Sequence, residues 1–280
     1  MEITLLGTGD TTGTPTPGCE CDTCAVARER ELERTRFSVH VRNERTDESL
    51  LIDASPDFRY QFLVHDVALP DEILITHIHF DHLDGLGNAY RLLGRPGTND
   101  SVPVYAADEV DPRTDESVAD TVANKYEYLA AVETDPKTPF EPFEACGFEV
   151  TLVPVDHPPL VCYGVSIEDP ATGAKLSVSG DSSYEIPEDS RDVLREPDLL
   201  LVDGIVPAEH CEYHPLGGAH HDDDGVPRTF GTKHMTIEGA RALASDLGAS
   251  EYRIVHLSHF ISADEAFDDD MAVDGDRFTL

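Results

Sequence analysis

Four side chains that can bind a metal ion lie within six consecutive positions of the chain: His77, His79, Asp81 and His82. They directly follow the apolar run at residues 72–75, so we expect them in a loop held at the end of a strand. Imidazole and carboxylate ligands together suit Zn²⁺, Mn²⁺ or iron. Residues at these spacings cannot all face one side of a regular strand or helix. In a tight loop they can divide into two sets around two ions, so the segment predicts a metal site. A polar histidine loop without metal is the alternative.

Three cysteines form a second group with metal-binding spacing: Cys19, Cys21 and Cys24. Three thiolates need one further ligand to complete a tetrahedral zinc site, and His259 can provide it. Such a site would be structural, because it leaves no open position for a substrate. A reduced surface cluster and a redox pair are the alternatives. We expect a structural zinc ion that joins the N-terminal glycine loop to the C-terminal region.

Apolar runs bounded by Gly, Pro, Asn or Asp predict the strands that would position these groups. The predicted strands are residues 3–6, 37–41, 50–53, 72–76, 102–105, 148–155, 161–167, 176–179, 199–203 and 252–255. Helical patterns occupy residues 22–34, 56–65, 86–93, 118–132 and 236–247. Some strands follow one another directly and others alternate with helices. We therefore expect an α/β fold with two mixed sheets packed face to face and helices outside, in one domain over residues 1–280.

Two segments match no regular element: the polar stretch 95–101 and the longer stretch 205–233. A long segment without regular structure is uncommon and often serves as a lid or an insertion, so we expect a loop insertion at 205–233. It carries histidines that either bind a metal ion or lie in a solvated loop tip, and we favour the solvated loop. These histidines are His210, His214, His220 and His221.

The charge of the chain is strongly negative, with 56 acidic residues against 20 basic ones and a formal net charge of -36. The acidic residues are spread along the sequence, and there are only four lysines. This distribution favours a solvated acidic surface suited to a salt-rich cytoplasm over an acidic partner-binding tail. Such a field repels phosphate backbones and anionic lipid, so we expect neither nucleic acid nor a membrane as a partner.

The first ten residues, MEITLLGTGD, lack the basic segment of a signal peptide and instead predict a strand and a glycine loop. No apolar run approaches the roughly 20 residues that a membrane-spanning helix needs. We therefore expect a cytoplasmic location.

The segment His77-Ile78-His79-Phe80-Asp81-His82 resembles the His-x-His-x-Asp-His signature of the metallo-β-lactamase superfamily. The resemblance implies a four-layer αββα sandwich. It also implies three later ligands, each placed after an apolar strand: His157, Asp181 and His256. One ion would be held by His77, His79 and His157, the other by Asp81, His82 and His256, with Asp181 between them. Asp53, at the end of another strand, would orient the histidine loop.

Four further motifs narrow the resemblance: Cys-x-Cys-x-x-Cys, Gly7-Thr8-Gly9, residues 53–61 and Lys233-His234-Met235-Thr236. Together they are similar to the branch that contains phosphoribosyl 1,2-cyclic phosphodiesterase. The accessory protein of pyrroloquinoline quinone biosynthesis shares the cysteine motif. The resemblance implies that His234 faces the scissile phosphate, whereas a surface histidine at a helix start is the alternative. It gives Asp81 a catalytic role beside its metal.

The expected function is a metal-dependent phosphodiesterase that hydrolyses a small cyclic phosphate through a metal-bridging hydroxide. Its cofactors would be two divalent ions, zinc or manganese, in the active site and one structural zinc ion. By analogy it could be a homodimer. A tRNA 3′-processing nuclease of the same fold is one alternative, although it needs a basic RNA-binding arm that the sequence lacks. A non-catalytic, metal-binding biosynthetic accessory protein is the other.

Overall fold

The protein is described here by a computed structural model covering residues 1–93, 101–221 and 223–280. Most of its strands coincide with the apolar runs of the sequence. They are β1 (Glu2–Gly7), β2 (Ser38–Arg42), β3 (Ser49–Ile52), β4 (Glu72–Ile75), β5 (Val102–Ala107), β6 (Val132–Lys137), β7 (Phe143–Ala145), β8 (Phe148–His157), β9 (Leu160–Glu168), β10 (Lys175–Val178), β11 (Leu199–Asp203), β12 (Gly218–His220), β13 (Pro227–Phe230), β14 (His234–Met235), β15 (Glu251–Val255) and β16 (Arg277–Thr279).

Two helices begin at a Thr or Ser whose side chain caps their free N–H groups. Thr236 accepts a hydrogen bond from the N–H of Gly239 at the start of α7 (Ile237–Asp246), and Ser117 forms a capping box with Asp120 at the start of α5 (Val118–Lys125). The α-helices are α1 (Asp22–Arg30), α2 (Phe58–His65), α3 (Phe80–Leu83), α4 (Ala89–Leu92), α5 (Val118–Lys125), α6 (Glu188–Leu194) and α7 (Ile237–Asp246). Two 3-10 helices add Asp84–Asn88 and Ala208–Tyr213.

The first sheet has seven strands in the order β16-β1-β2-β3-β4-β5-β6. Its first half is antiparallel, and β3, β4, β5 and β6 are parallel to one another. The second sheet has six strands in the order β15-β11-β10-β9-β8-β7. Here β15, β11 and β10 are parallel, and the rest alternate in direction. Both sheets are therefore mixed.

The core lies between the two sheets, with helices on the outer faces. One cluster of buried side chains includes Leu51, Leu74, Leu152 and Val165 from both sheets, together with Phe58 of α2. A second cluster packs α6 and α7 against the outer face of the second sheet. This arrangement confirms the four-layer αββα sandwich, because each sheet buries one face against the other sheet and one against helices.

The carboxyl ends of several strands meet at one edge of the sandwich. In the first sheet, β3 and β4 run in parallel and end side by side. In the second sheet, β10, β11 and β15 are parallel, and β8 runs with β10 because both are antiparallel to β9. The residues that follow these strands are consequently brought to the same edge, as in other sheets whose sites lie at strand ends.

The opposite edge of the sandwich is joined by side chains from the turn between β2 and β3. Arg45 contacts the carboxylate of Asp169, after β9, with N–O distances of 2.6 and 2.9 Å. Asn43 donates a hydrogen bond of 2.8 Å to the carbonyl of Cys146, just before β8. These contacts connect the two sheets at the edge that lies away from the strand ends described above.

Two predictions from the sequence require correction. The helix predicted at 118–132 ends at Lys125, and Val132–Lys137 instead forms edge strand β6, because its backbone pairs with β5. The segment 205–233 is not without regular structure. It contains a 3-10 helix and strands β12 and β13, which form a three-stranded sheet with β14. Of the predicted polar loop 95–101, residues 95–100 lie outside the described residues.

In the part of the chain that the structure describes, every helix is too short or too polar to cross a bilayer.

Candidate metal centre and neighbouring residues

The first group of ligands combines the loop after β4 with the ends of two strands of the second sheet. Its members are His77, His79, His157 and Asp181, whose ligand atoms lie within 4.8 Å of one another. Nε2 of His77 is 3.0 Å from Nδ1 of His79, and Nε2 of His157 is 3.4 Å from that atom. The ring nitrogens thus converge on one point, which is the arrangement that a divalent cation requires.

The second group lies on the other side of Asp181. It contains Asp81, His82 and His256, again with ligand atoms within 4.8 Å of one another. Oδ2 of Asp181 is 3.4 Å from Nε2 of His82, 3.3 Å from Nε2 of His256 and 3.6 Å from Nε2 of His77. One carboxylate oxygen therefore faces both groups, and the structure brings together all seven side chains that the sequence suggested.

Asp53 holds the histidine loop in place through contacts with Thr76 and His82. Its carboxylate accepts hydrogen bonds from the N–H and hydroxyl of Thr76, both at 2.8 Å, and lies 2.6 Å from Nδ1 of His82. The proton on Nδ1 of His82 is thereby fixed, which leaves Nε2 free to act as a ligand. His157 is oriented in the same way, because its Nδ1 donates to the carbonyl of Lys233 at 3.0 Å.

The backbone at two of these positions is strained. Asp53 has φ 59° and His256 has φ 60°, in the left-handed region that non-glycine residues rarely adopt. Each follows a strand directly, and the unusual conformation turns its side chain toward the cluster. Gly180, with φ 64°, precedes Asp181, and a Cβ there would lie 2.5 Å from the carbonyl oxygen of Tyr163. Local strain of this kind is common at functional sites.

Several buried polar atoms of the cluster have no hydrogen-bond partner. Among the described residues these include both carboxylate oxygens of Asp81, Oδ2 of Asp181, Nε2 of His82 and both ring nitrogens of His256. Leaving such atoms buried and unpaired costs about 1–3 kcal/mol each, and more for charged groups. Cations at these positions would satisfy them, so the residues present fit a pair of divalent ions.

The protonation of the two groups differs. Burial lowers the pKa of His77 well below its ordinary value and that of His157 to about 3. Burial also opposes the charge of His256, yet Asp181 and Asp81 raise its pKa to about 9. The carboxyl of Asp181, despite its burial, is held well below its ordinary pKa by neighbouring imidazoles. The first group thus offers neutral nitrogen ligands. In the second group the carboxylates attract protons onto the imidazoles, and bound cations would displace these protons.

His234 begins β14 beside both ligand groups. Its ring stacks on His256 with centroids 4.9 Å apart and an interplanar angle of 11°, and its centroid lies 4.8 Å from that of His157. Nδ1 of His234 lies 3.2 Å from Oδ2 of Asp203. Oδ1 of the same carboxylate is 3.5 Å from Nδ1 of His256. Asp203 therefore connects His234 to the cluster.

Asp203 is not among the functional residues that the sequence predicts. One sequence feature does point to Asp203: it ends the apolar strand β11, much as Asp53 directly follows β3. Its carboxylate is further fixed by hydrogen bonds from the N–H groups of Ser182 at 3.3 Å and Met235 at 3.0 Å.

The cysteine group forms a separate cluster beyond the last strand of the second sheet. The thiols of Cys19 and Cys21 lie 3.4 and 3.5 Å from Nδ1 of His259, and Cys24 completes the group. All four ligand atoms are within 4.8 Å of one another. Three thiols and one imidazole are the donor set of a structural zinc site, so these residues fit that ion.

The histidines of residues 205–233 do not join a metal cluster among the described residues. His214 packs against Phe230 with ring centroids 4.7 Å apart, and His221 lies 3.3 Å from the hydroxyl of Thr229. Their contacts are those of an ordinary packed or surface segment, as the sequence suggested.

A family profile described as Beta-lactamase superfamily domain matches residues 48–257, which carry both ligand groups. The chain belongs to the metallo-β-lactamase superfamily. The part of the chain that matches the family profile extends from the start of the strand before Asp53 to the residue after His256.

The relatives of this superfamily member differ in activity. It is 30% identical to coenzyme PQQ synthesis protein B of Methylobacterium radiotolerans, over 90% of this chain and 86% of that protein. It is 27% identical to an octanoyltransferase of Porphyromonas gingivalis over 92% of this chain, but spans only 46% of that protein's length. The solved structure of a diphosphatase from the PhnP family has 26% identity and a TM-score of 0.77, covering 99% of this chain and 96% of the other.

Proposed function

We propose that this protein is a metal-dependent phosphodiesterase that hydrolyses a small cyclic phosphate. The observation that carries the proposal is the pair of ligand groups that share Asp181, with buried carboxylate and imidazole atoms left without partners. Two divalent cations bound there would supply Lewis-acid activation of a water molecule and neutralise charge on a phosphoryl group. The rest of the reaction depends on side chains of this chain.

Asp81 is suited to orient the attacking water. Neither of its carboxylate oxygens has a hydrogen-bond partner, and Oδ2 lies 3.7 Å from the ring nitrogens of both His82 and His256. A carboxylate at this place accepts a hydrogen bond from the nucleophile and aligns it for attack on phosphorus. Such alignment raises the rate because an oriented water molecule loses less translational and rotational freedom on reaching the transition state.

His234 is suited to protonate the leaving oxygen. Its Nδ1 side faces Asp203, which fixes the ring, and its opposite nitrogen is free of any such partner in the described residues. Imidazole is the side chain most often used for proton transfer in enzymes, and a positioned acid contributes roughly 10²–10⁴-fold to rate. The stacking of His234 on His256 places it next to the cation-binding groups.

Two further observations support a small phosphorylated substrate. The similarity to a PhnP-family diphosphatase covers nearly the whole chain. The net charge of -36 disfavours a polyanion such as tRNA, because binding to nucleic acid relies on neutralising phosphates with Lys and Arg. Ligand chemistry alone would leave zinc and manganese as equally suitable ions.

A second candidate is a non-catalytic role in cofactor biosynthesis, which the 30% identity to coenzyme PQQ synthesis protein B favours. Under this alternative the metal groups would be present, but no phosphodiester would be hydrolysed. The two functions make opposite predictions for turnover and the same prediction for metal content.

The test combines metal analysis with a substrate panel. We compare the purified wild-type protein with the Asp181→Ala variant and with the control Asp189→Ala, each loaded with zinc or manganese in high salt. Asp189 is an exposed residue of α6. We expect two active-site equivalents in wild type and the control, with hydrolysis of bis(p-nitrophenyl) phosphate or a 2′,3′-cyclic nucleotide, and loss of both properties in Asp181→Ala. Full metal content without any phosphodiester hydrolysis would reject the phosphodiesterase and favour the accessory role.

A further inference from the structure

Lys233 differs from the other lysines of this chain in its electrostatic surroundings. Each of the other three pairs with a carboxylate: Lys125 with Asp84, Lys137 with Asp135 at 2.8 Å, and Lys175 with Glu168 at 3.5 Å. Within the described residues, no carboxylate lies within 4.0 Å of the Lys233 ammonium group. Among the four lysines, Lys233 is therefore the one whose ammonium group is not held by a carboxylate of the described residues.

The position of Lys233 is fixed relative to the first ligand group. It lies in the turn between β13 and β14, directly before His234, and its side chain is partly buried. Its carbonyl accepts the hydrogen bond from Nδ1 of His157 at 3.0 Å. The turn that carries Lys233 is therefore hydrogen-bonded to the metal-ligand candidate His157 and directly precedes His234.

The backbone of Lys233 lies next to both ligand groups. Its carbonyl contacts His157 of the first group, and the residue after it, His234, stacks on His256 of the second. A lysine ammonium is a flexible point charge with three donors, which suits it to bind phosphoryl oxygens.

We propose that Lys233 binds an anionic phosphoryl oxygen of the substrate and selects anionic phosphodiesters over neutral esters. This inference rests on the proposed function, because it assigns a specificity role at the same site. The oxygen belongs either to the scissile phosphate or to a second phosphate group on the same substrate. In both cases an ion pair forms with a cation that carries no competing carboxylate.

The test compares Lys233→Met with Lys233→Arg, which keeps the charge, and with the matched control Lys175→Met. Lys175 begins β10 at the end of the sheet opposite Asp181, so its replacement removes one positive charge away from the site. The substrates are bis(p-nitrophenyl) phosphate, adenosine 2′,3′-cyclic phosphate with and without a 5′-phosphate, and the neutral ester p-nitrophenyl acetate. Calorimetric titration of the metal-loaded proteins with inorganic phosphate gives a measure of binding that is independent of turnover.

We expect Lys233→Met to raise KM for phosphodiesters about tenfold and to weaken phosphate binding by a similar factor, while Lys233→Arg restores most of both. An equal rise for all phosphodiesters assigns Lys233 to the scissile phosphate, and a rise confined to the 5′-phosphorylated substrate assigns it to the second phosphate. Unchanged KM and phosphate affinity, or an equal change for the neutral ester, would overturn the inference. If wild type hydrolyses no phosphodiester, the proposed function fails, and the titration still tests Lys233.

Discussion

Oδ2 of Asp203 lies 3.2 Å from Nδ1 of His234, and the buried carboxylate pairs with this partly buried imidazole beside the second ligand group. The carboxylate keeps the proton on Nδ1 of the imidazole and fixes the orientation of the ring. The same carboxylate lies 3.5 Å from His256, so it is shared between the proposed proton donor and a metal ligand.

Replacing Asp203 with Asn should lower kcat for phosphodiesters about 100-fold, because the amide no longer stabilises the correct protonation of His234. Metal content should stay near that of wild type, since the substitution keeps the shape of the side chain. His234→Gln should cause a similar loss, and the double variant should be little worse than either, because the two residues act as a unit. Steady-state kinetics and metal analysis check this prediction, and additive losses would contradict it.

Replacing Cys21 with Ser should remove one equivalent of zinc and lower the unfolding temperature by several degrees. Cys21 is also the N-cap of α1, where its sulfur accepts a hydrogen bond from the N–H of Cys24. Serine is a good N-cap, so this substitution keeps the cap and removes only the thiolate ligand. Metal analysis and thermal unfolding measure the effect, with Cys211→Ser, a buried cysteine outside the cluster, as control. Unchanged zinc content in Cys21→Ser would argue against the structural site.

The histidine loop could be predicted from the sequence because its pattern is local, with four donors within six positions. His157, Asp181 and His256 were predicted through the resemblance to the superfamily, which their positions after apolar runs support. Asp203 also follows such a run, but a single aspartate at a strand end has no distinguishing spacing. Its role depends on two residues that are brought to it by separate strands, and that information is present only in three dimensions.

The two secondary-structure predictions that were wrong failed for a common physical reason. The helix predicted at 118–132 was extended beyond Lys125 because the local pattern there is ambiguous, whereas pairing with β5 determines that residues 132–137 form a strand. The sheet within 205–233 is polar and partly exposed, so it lacks the apolar alternation from which strands are recognised. In both cases the decisive interactions are non-local hydrogen bonds.

His40 should make the protein less stable as the pH falls below neutrality. It is buried in β2, and burial lowers its pKa from 6.5 to about 4. The unfolded chain therefore binds a proton between pH 6.5 and 4 while the folded protein does not, and the free energy of unfolding decreases over that window by up to about 3 kcal/mol. Chemical denaturation of wild type and His40→Leu at pH 7 and pH 5 should show a smaller pH dependence in the variant.

The control for this experiment is His220→Leu, because His220 is exposed and its replacement leaves the core unchanged. It should keep the pH dependence of wild type. The same slope in His40→Leu as in wild type would mean that His40 does not contribute.

Replacing Asp169 with Asn should destabilise the protein by about 2 kcal/mol at neutral pH, because Arg45 loses the charge of a buried partner. The hydrogen bonds from Arg45 lower the pKa of Asp169 to about 2, so the pair keeps its contribution above the ordinary carboxyl pKa and loses it as the pH falls toward 2. Chemical denaturation at neutral pH measures the loss. Asp47→Asn removes the exposed partner of Arg42 and should cost less than about 0.5 kcal/mol. Equal costs for the two variants would contradict the prediction.

Arg45 and Asn43 join the two sheets at one edge of the sandwich, and cations bound by the two ligand groups would join them at the opposite edge. Removing such cations by chelation would leave the contacts of Arg45 and Asn43 intact. The two sheets would then separate first at the metal-binding edge, before the whole molecule unfolds. Chelators would then first expose the loops around His77 and His256 to proteolysis, and the segments near Arg45 would be cleaved last.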